Sequence, residues 1–170
     1  IVFGGTMGAG KTEAIKSLSE INVLSTEAYN TDEQSHSKAL TTVGIDYGEI
    51  KLDDGITVGL YGTPGQDRFD FVWSVICKGA IGAVVLIDHS KKTALDDLKF
   101  YHNSFKEYVN NIIVGITHVD EDSQQLLKKY RDWMDLNGYN MPVFAIDARE
   151  KDDVLLVVEA LIARAEIEYA

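Results

Sequence analysis

Eight residues near the start of the chain, Gly5-Thr6-Met7-Gly8-Ala9-Gly10-Lys11-Thr12, carry the pattern G-x-x-x-x-G-K-T. Each residue type in it suits a grip on phosphate. Glycines let the backbone bend closely round an anion, so that several N–H groups converge on it. A helix starting at Thr12 would add roughly half a positive charge at its amino end. The Lys11 ammonium suits the β- and γ-phosphates, and the Thr12 hydroxyl suits Mg²⁺. Gly8, Ala9, Gly10, Lys11, Thr12 and Glu13 are the candidate contacts to such a ligand. The apolar run Ile1-Val2-Phe3 precedes the loop and a helix-competent stretch follows it, which is the strand–loop–helix setting the motif requires.

The rest of the chain bounds what this loop can serve. At 170 residues it suits one α/β domain, residues 1–170. The net charge of −11 argues against nucleic acid or an anionic membrane as the main partner. A phosphate site here must work by local geometry. No run of 18 apolar residues exists, so no transmembrane segment is expected. Cys77 is the single cysteine, which excludes an internal disulfide and a cysteine metal cluster and suits a small buried residue.

The flanking sequence reads as alternating strands and helices. Residues 12–24 carry Ile15 and Leu18 on one helical face, and the polar stretch 25–42 reads as a long functional or mobile loop. Val43, Ile45 and Tyr47 alternate, then Ile50 and Leu52 alternate in the opposite phase, which predicts a bulge near Gly48. Asp54-Gly55 is a hairpin turn leading into a strand at 56–61. Residues 80–87, 112–116 and 143–146 read as further strands, the first two as buried parallel ones. The aromatic run from residue 69 and the apolar sets starting at Leu95, Leu126 and Val154 read as helices, with Gly138 as a stop signal. The predicted order is βαββαβαβαβα. It describes a doubly wound, six-stranded α/β sheet with one antiparallel strand and about five helices, its ligand at the carboxyl ends of the strands.

Loops of this kind, in this order, resemble those of Ras-type small GTPases. The phrase Leu60-Tyr61-Gly62-Thr63-Pro64-Gly65-Gln66-Asp67-Arg68-Phe69-Asp70-Phe71 is similar to the bacterial branch that includes the gliding-motility GTPase MglA and the actinobacterial conservon GTPases. The motifs span positions 5–149. The resemblance implies a P-loop NTPase fold that binds GTP and GDP with Mg²⁺. It implies Thr42 as a second metal-side threonine beside Thr12, with Thr41 as the fallback. It implies that the Gly65 N–H bonds the γ-phosphate and that Gln66 orients the attacking water. Thr117, His118 and Asp120 stand where the family has Asn-Lys-x-Asp, so Asp120 would accept from the guanine N1–H and 2-amino group. Ala148 and Arg149 stand at the family's last base-contacting loop, where the Ala148 N–H would meet the guanine O6.

Two positions depart from the family pattern. Gly62 replaces an aspartate that holds a water on Mg²⁺, and Asp88 or Asp46 could supply the missing charge. Met7 replaces a glycine beside the γ-phosphate, which predicts crowding of Gln66 and slow unassisted turnover, at or below about 10⁻³ s⁻¹. The arginines are Arg68, Arg131, Arg149 and Arg164. A transition-state guanidinium must therefore come from Arg68 or a partner, with Lys38 a weaker substitute. Gln66, Lys11 and Arg68 are the catalytic candidates. The implied function is a cytoplasmic GTP-hydrolysing switch in bacterial motility, polarity or sensor signalling. A roadblock-domain protein would stimulate it, and an effector would read its switch loops, the aromatic run included. The alternative is a nucleotide-sensing scaffold with little or no hydrolysis.

Overall fold

A computed structural model describes residues 1–29, 42–65, 70–120 and 123–169. The strands are β1 (Val2–Gly4), β2 (Leu24–Tyr29), β3 (Thr42–Lys51), β4 (Thr57–Gly62), β5 (Ala83–Asp88), β6 (Ile112–Thr117) and β7 (Val143–Ala145). The helices are α1 (Lys11–Leu18), α2 (Asp70–Ile76), α3 (Ala94–Phe105), α4 (Ser123–Leu136) and α5 (Lys151–Tyr169). The strands form one sheet in the order β2-β3-β4-β1-β5-β6-β7. β3 runs antiparallel to both of its neighbours, and every other neighbouring pair is parallel.

Among the described residues the sheet has seven strands, one more than the six expected. The addition is β2, which pairs with β3 from Leu24↔Tyr47 to Tyr29↔Thr42. It takes the end of the predicted first helix, which stops at Leu18, and the start of the predicted loop. The reason is its place at the sheet edge. An edge strand has a partner on one side only and is commonly polar, so Leu-Ser-Thr-Glu-Ala-Tyr shows no apolar alternation.

The expected bulge at Gly48 is absent. The β3–β4 register runs unbroken from Asp46↔Gly62 to Lys51↔Thr57. The two phases of apolar residues arise because both faces of β3 are used. Ile50 joins the core beneath α1 and α5, whereas Ile45 packs with Val72 and Ile76 of α2. Tyr47 pairs directly with Tyr61, with ring centroids 4.9 Å apart. The Asp54-Gly55 turn forms as expected, with Gly55 at φ 85°.

Each face of the sheet is covered by helices, so the central strands are apolar throughout. In β5 every residue is buried. Val84 and Leu86 face α1 and α5, where they meet Ile15, Leu18, Val157 and Leu161. Val85 and Ile87 face α3 and α4, where they meet Leu98, Phe105, Tyr130 and Met134. Trp73 of α2 closes this second core, stacked on Phe105 at 5.2 Å. Of the run's members with described side chains, Val72 and Trp73 are buried, Ile76 is partly buried and Val75 is exposed. Removing the Trp73 ring is expected to cost about 3–5 kcal/mol. This framework leaves the carboxyl ends of β1, β5 and β6 side by side. Among the described residues, no helix is long and apolar enough to cross a membrane.

Candidate nucleotide-binding site

The phosphate loop leaves the carboxyl end of β1 and enters α1. Gly8 and Gly10 take φ of 84° and 101°, where a side chain would be strained. Gly10 is the N-cap of α1 and has no side chain to bond the first-turn amides, so these are left to an outside acceptor. A cleft of about 490 Å³ opens along the loop. Its walls include Lys11, Thr12, Ser25, Asp46 and Gly65.

The loop's outward carbonyls are all but fully tied down. Lys11 Nζ donates to the carbonyls of Gly5 and Thr6, each at 2.8 Å. The Thr117 hydroxyl reaches the Ala9 carbonyl at 3.0 Å. The Ala14 N–H donates to the Gly10 carbonyl at 2.8 Å. Burial lowers the Lys11 pKa to about 8. The Asp46 carboxylate opposes that shift and the Lys91 ammonium adds to it.

Of the acidic residues along the described walls of the cleft, Glu13 and Asp46, it is Asp46 that meets Thr12. Its carboxylate accepts from the Thr12 hydroxyl and, at 2.6 Å, from Ser25 Oγ. Asp88, the other candidate, is buried as the last residue of β5, where it accepts from the Ser90 N–H at 3.0 Å and Ser90 Oγ at 2.6 Å. The structure therefore brings Asp46, and not Asp88, to Thr12. Thr12, Asp46 and Ser25 form an oxygen-only set, which fits a hard cation such as Mg²⁺.

Gly65 lies against the opposite wall. A Cβ there would stand 2.5 Å from the Met7 amide nitrogen and 2.8 Å from Met7 Cα. Only glycine permits that approach. Met7 itself is 63% exposed, and Glu13 pairs with Lys16 at 3.1 Å on the surface of α1.

Two further loops meet the phosphate loop. Thr117, at the end of β6, is 2% exposed and braces Ala9 from behind. His118 follows with φ 57°, its Nδ1 3.0 Å from Thr117 Oγ1 and 3.4 Å from Asp88 Oδ1. Asp120 stands exposed just beyond it. Ala148, after β7, approaches so closely that a Cβ on Gly10 would lie 2.8 Å from its own Cβ. Arg149 turns back onto Asp147, with Nη2 2.5 Å from the carboxylate. That pairing holds the Asp147 carboxyl down at about 2.

Thr42 opens β3. Thr41, Lys38, Gln66, Asp67 and Arg68 lie outside the described residues, as does the proposed crowding of Gln66 by Met7. One contact escaped the sequence reading altogether. Lys91 Nζ donates to the Met7 carbonyl at 2.6 Å and to Thr6 Oγ1 at 3.0 Å. No spacing rule links it to the loop, because the sheet alone brings the end of β5 beside the end of β1.

A phosphate loop at the end of β1, met by loops from β6 and β7 on a mostly parallel sheet, defines a protein of the P-loop GTPase fold. The bacterial selenocysteine-specific elongation factor EF-Sec shares that fold, with a TM-score of 0.62 at 18% identity over 96% of this chain and 28% of that one. The chain belongs to the family described as "Conserved hypothetical ATP binding protein", whose profile matches residues 3–141. Ras-related protein Rab-11B of Dictyostelium discoideum is 30% identical over 141 residues, covering 81% of this chain and 57% of that protein. GTP-binding protein yptV2 of Volvox carteri is 24% identical over 151 residues, covering 82% of this chain and 70% of that protein. The chain thus spans little more than half the length of the first of these relatives.

Proposed function

We propose that residues 1–170 form one guanine-nucleotide-binding domain that binds GTP and GDP with Mg²⁺ and hydrolyses GTP as a molecular switch. The observation that carries this reading is the joint of Thr12 to Asp46 at the mouth of the phosphate loop. A loop that only cradled an anion would have no use for a carboxylate there. A loop that takes a nucleotide with its cation would. Loop amides and Lys11 would bind the phosphates, while Thr12 and Thr42 would face the cation and Asp46 would steady its water. Bound Mg²⁺ would neutralise charge on the phosphate oxygens. Gly65, pressed on the Met7 amide, sits where its own N–H could report the terminal phosphate. Gln66 would orient the attacking water, and Arg68 or a partner would supply a transition-state cation.

Guanine is assigned to Asp120, because a carboxylate left unpaired by adenine disfavours that base strongly. Thr117, His118, Ala148 and Arg149 would frame the base. The family's description names ATP and a relative's name says GTP, so base identity is the first thing to measure. Titration with GTP, GDP and ATP in Mg²⁺ is expected to favour the guanine nucleotides by tenfold or more. Loss of that preference in Asp120→Ala would tie it to the carboxylate. Equal or tighter ATP binding by the parent would overturn the guanine assignment.

The finer setting extends the same proposal. Residues 60–71 resemble the MglA and conservon branch, which supports a bacterial cytoplasmic switch in motility, polarity or signalling, stimulated by a roadblock-domain protein. Single-turnover phosphate release, alone and with such a partner, tests it. Release at or below about 10⁻³ s⁻¹ alone, with acceleration by the partner, is expected. No release under either condition would favour the nucleotide-sensing scaffold.

A further inference from the structure

Lys91 stands in the turn between β5 and α3, fixed by the bonds of its own N–H to the Asp88 carbonyl at 3.3 Å and of its carbonyl to the Ala94 N–H at 3.2 Å. It is absent from the G-x-x-x-x-G-K-T pattern and does not line the cleft, so it reaches the phosphate loop from outside that cleft. The carbonyl it holds belongs to Met7. A trans peptide carries its C=O and N–H on opposite sides. With the Met7 carbonyl pinned outward, the Gly8 N–H is turned the other way, toward the cleft that Met7, Gly8 and Lys11 line.

That peptide is the central one of the turn in which the Ala9 N–H donates to the Thr6 carbonyl at 3.1 Å, a bond made in type I and type II turns alike, so the turn does not set which way it faces. Gly8 sits at φ 84° with nothing within 4 Å of where a Cβ would be, and the Met7 side chain is largely exposed. A glycine without packing has no side chain to fix the direction of the peptide before it. The neighbouring carbonyls have other anchors, since Lys11 holds those of Gly5 and Thr6 and Thr117 holds that of Ala9. Lys11 keeps a third ammonium N–H for an arriving phosphate beside the two on these carbonyls, whereas Lys91, outside the cleft, holds its carbonyl without facing that ligand.

We propose that Lys91 is a positioning residue for the nucleotide, its ammonium fixing the Met7–Gly8 peptide so that the Gly8 N–H faces the phosphates. The inference rests on the nucleotide reading of the site. It predicts equal weakening for GDP and GTP, because the peptide is set before either arrives. It also predicts that the hydrolysis step itself is spared.

The test compares the parent chain with Lys91→Met, Lys91→Arg and Lys92→Met, the last an exposed neighbour as control. Fluorescent GDP and GTP analogues give affinities and dissociation rates, and single-turnover hydrolysis at saturating GTP gives the chemical step. Amide hydrogen exchange of the segment 4–12 without nucleotide reads the loop directly. Lys91→Met is expected to weaken both nucleotides about tenfold or more, through faster dissociation, with hydrolysis of bound GTP within about threefold of the parent. Its loop is expected to exchange faster, Lys91→Arg to recover most of both effects, and Lys92→Met to match the parent. Unchanged affinity and exchange in Lys91→Met would overturn the proposal and leave the nucleotide reading standing. A slower chemical step at unchanged affinity would also overturn it, by making Lys91 a catalytic cation. A parent that binds neither nucleotide would overturn the nucleotide reading and this role with it.

Discussion

Asp46 faces Gly62 directly across the β3–β4 ladder, and a Cβ on Gly62 would lie 3.2 Å from the Asp46 Cβ and 3.5 Å from its Oδ2. A side chain at position 62 would stand beside that carboxylate and press on Ile15 Cδ1, 3.0 Å from the Cβ. The acid beside Thr12 is carried on β3, opposite the glycine of β4. Replacing Asp46 by Asn is expected to reduce the Mg²⁺-dependent tightening of nucleotide binding about tenfold or more, the usual scale for groups that orient a metal's ligands. Moving the acid to β4, as Asp46→Gly with Gly62→Asp, is expected to restore more of it than Gly62→Asp alone, which would set two carboxylates against each other. Nucleotide dissociation rates in Mg²⁺ and in chelator measure both. Unaltered Mg²⁺ dependence in Asp46→Asn would remove Asp46 from the cation site.

Gly65 makes the corresponding contact on the other wall. A methyl group there cannot fit 2.5 Å from the Met7 nitrogen, and the obstacle is backbone, so the segment 63–65 must move away. Gly65→Ala is therefore expected to slow GTP hydrolysis about tenfold or more while leaving GDP affinity within about threefold. Paired GDP titration and single-turnover hydrolysis would show this. Equal losses for both nucleotides would mean that Gly65 shapes the whole phosphate loop and does not read the terminal phosphate.

Thr117 joins the two loops that a nucleotide would bridge. Its buried hydroxyl has one proton, which goes to the Ala9 carbonyl at 3.0 Å ahead of the Ile87 carbonyl at 3.3 Å when His118 Nδ1, also at 3.0 Å, donates to the hydroxyl oxygen. Valine keeps the shape and removes the donor, which leaves a buried carbonyl unpaired at a cost of roughly 1–3 kcal/mol. Thr117→Val is expected to lose that much stability in urea without a change in m value, and to weaken GDP and GTP alike. Thr117→Asn, which keeps a donor, is expected to recover nucleotide binding. Binding in Thr117→Val equal to the parent would show that the brace serves stability alone.

These contacts also mark where the sequence was legible and where it was not. The phosphate loop could be read because all its chemistry lies within eight consecutive residues, and the buried strands because β5 and β6 are apolar on both faces. β2 was hidden because an edge strand needs little apolar surface. The phase shift in β3 was visible, but its cause was cover on two faces and not a bulge. Asp46 could be suggested as an alternative acid. Its choice over Asp88 required the register that sets it opposite Gly62. Lys91 was out of reach, since a lysine in a turn carries no sign of which loop the sheet will bring to it.

Lys11 gives the site a pH dependence of two opposite signs. Burial, with Lys91 nearby, lowers its pKa from the ordinary lysine value of 10.5 to about 8, against the pull of Asp46. In the free protein the unfolded chain thus binds the proton more tightly than the folded one. The resulting destabilisation is complete below about pH 8 and is relieved as pH rises from there toward 10.5, so Lys11 makes the free protein more stable across that window. Nucleotide reverses the balance. Phosphate charge beside the ammonium raises its pKa, so binding takes up a proton once pH exceeds about 8, and affinity falls as pH rises. Calorimetric titration of GDP in two buffers of different ionisation enthalpy is expected to show net proton uptake at pH 8.5 and almost none at pH 7. Thermal melts of the free protein are expected to lose part of their upward slope above pH 8 in Lys11→Met. Proton release on binding at pH 8.5 would contradict this account, because it would require the ammonium to sit away from the phosphates.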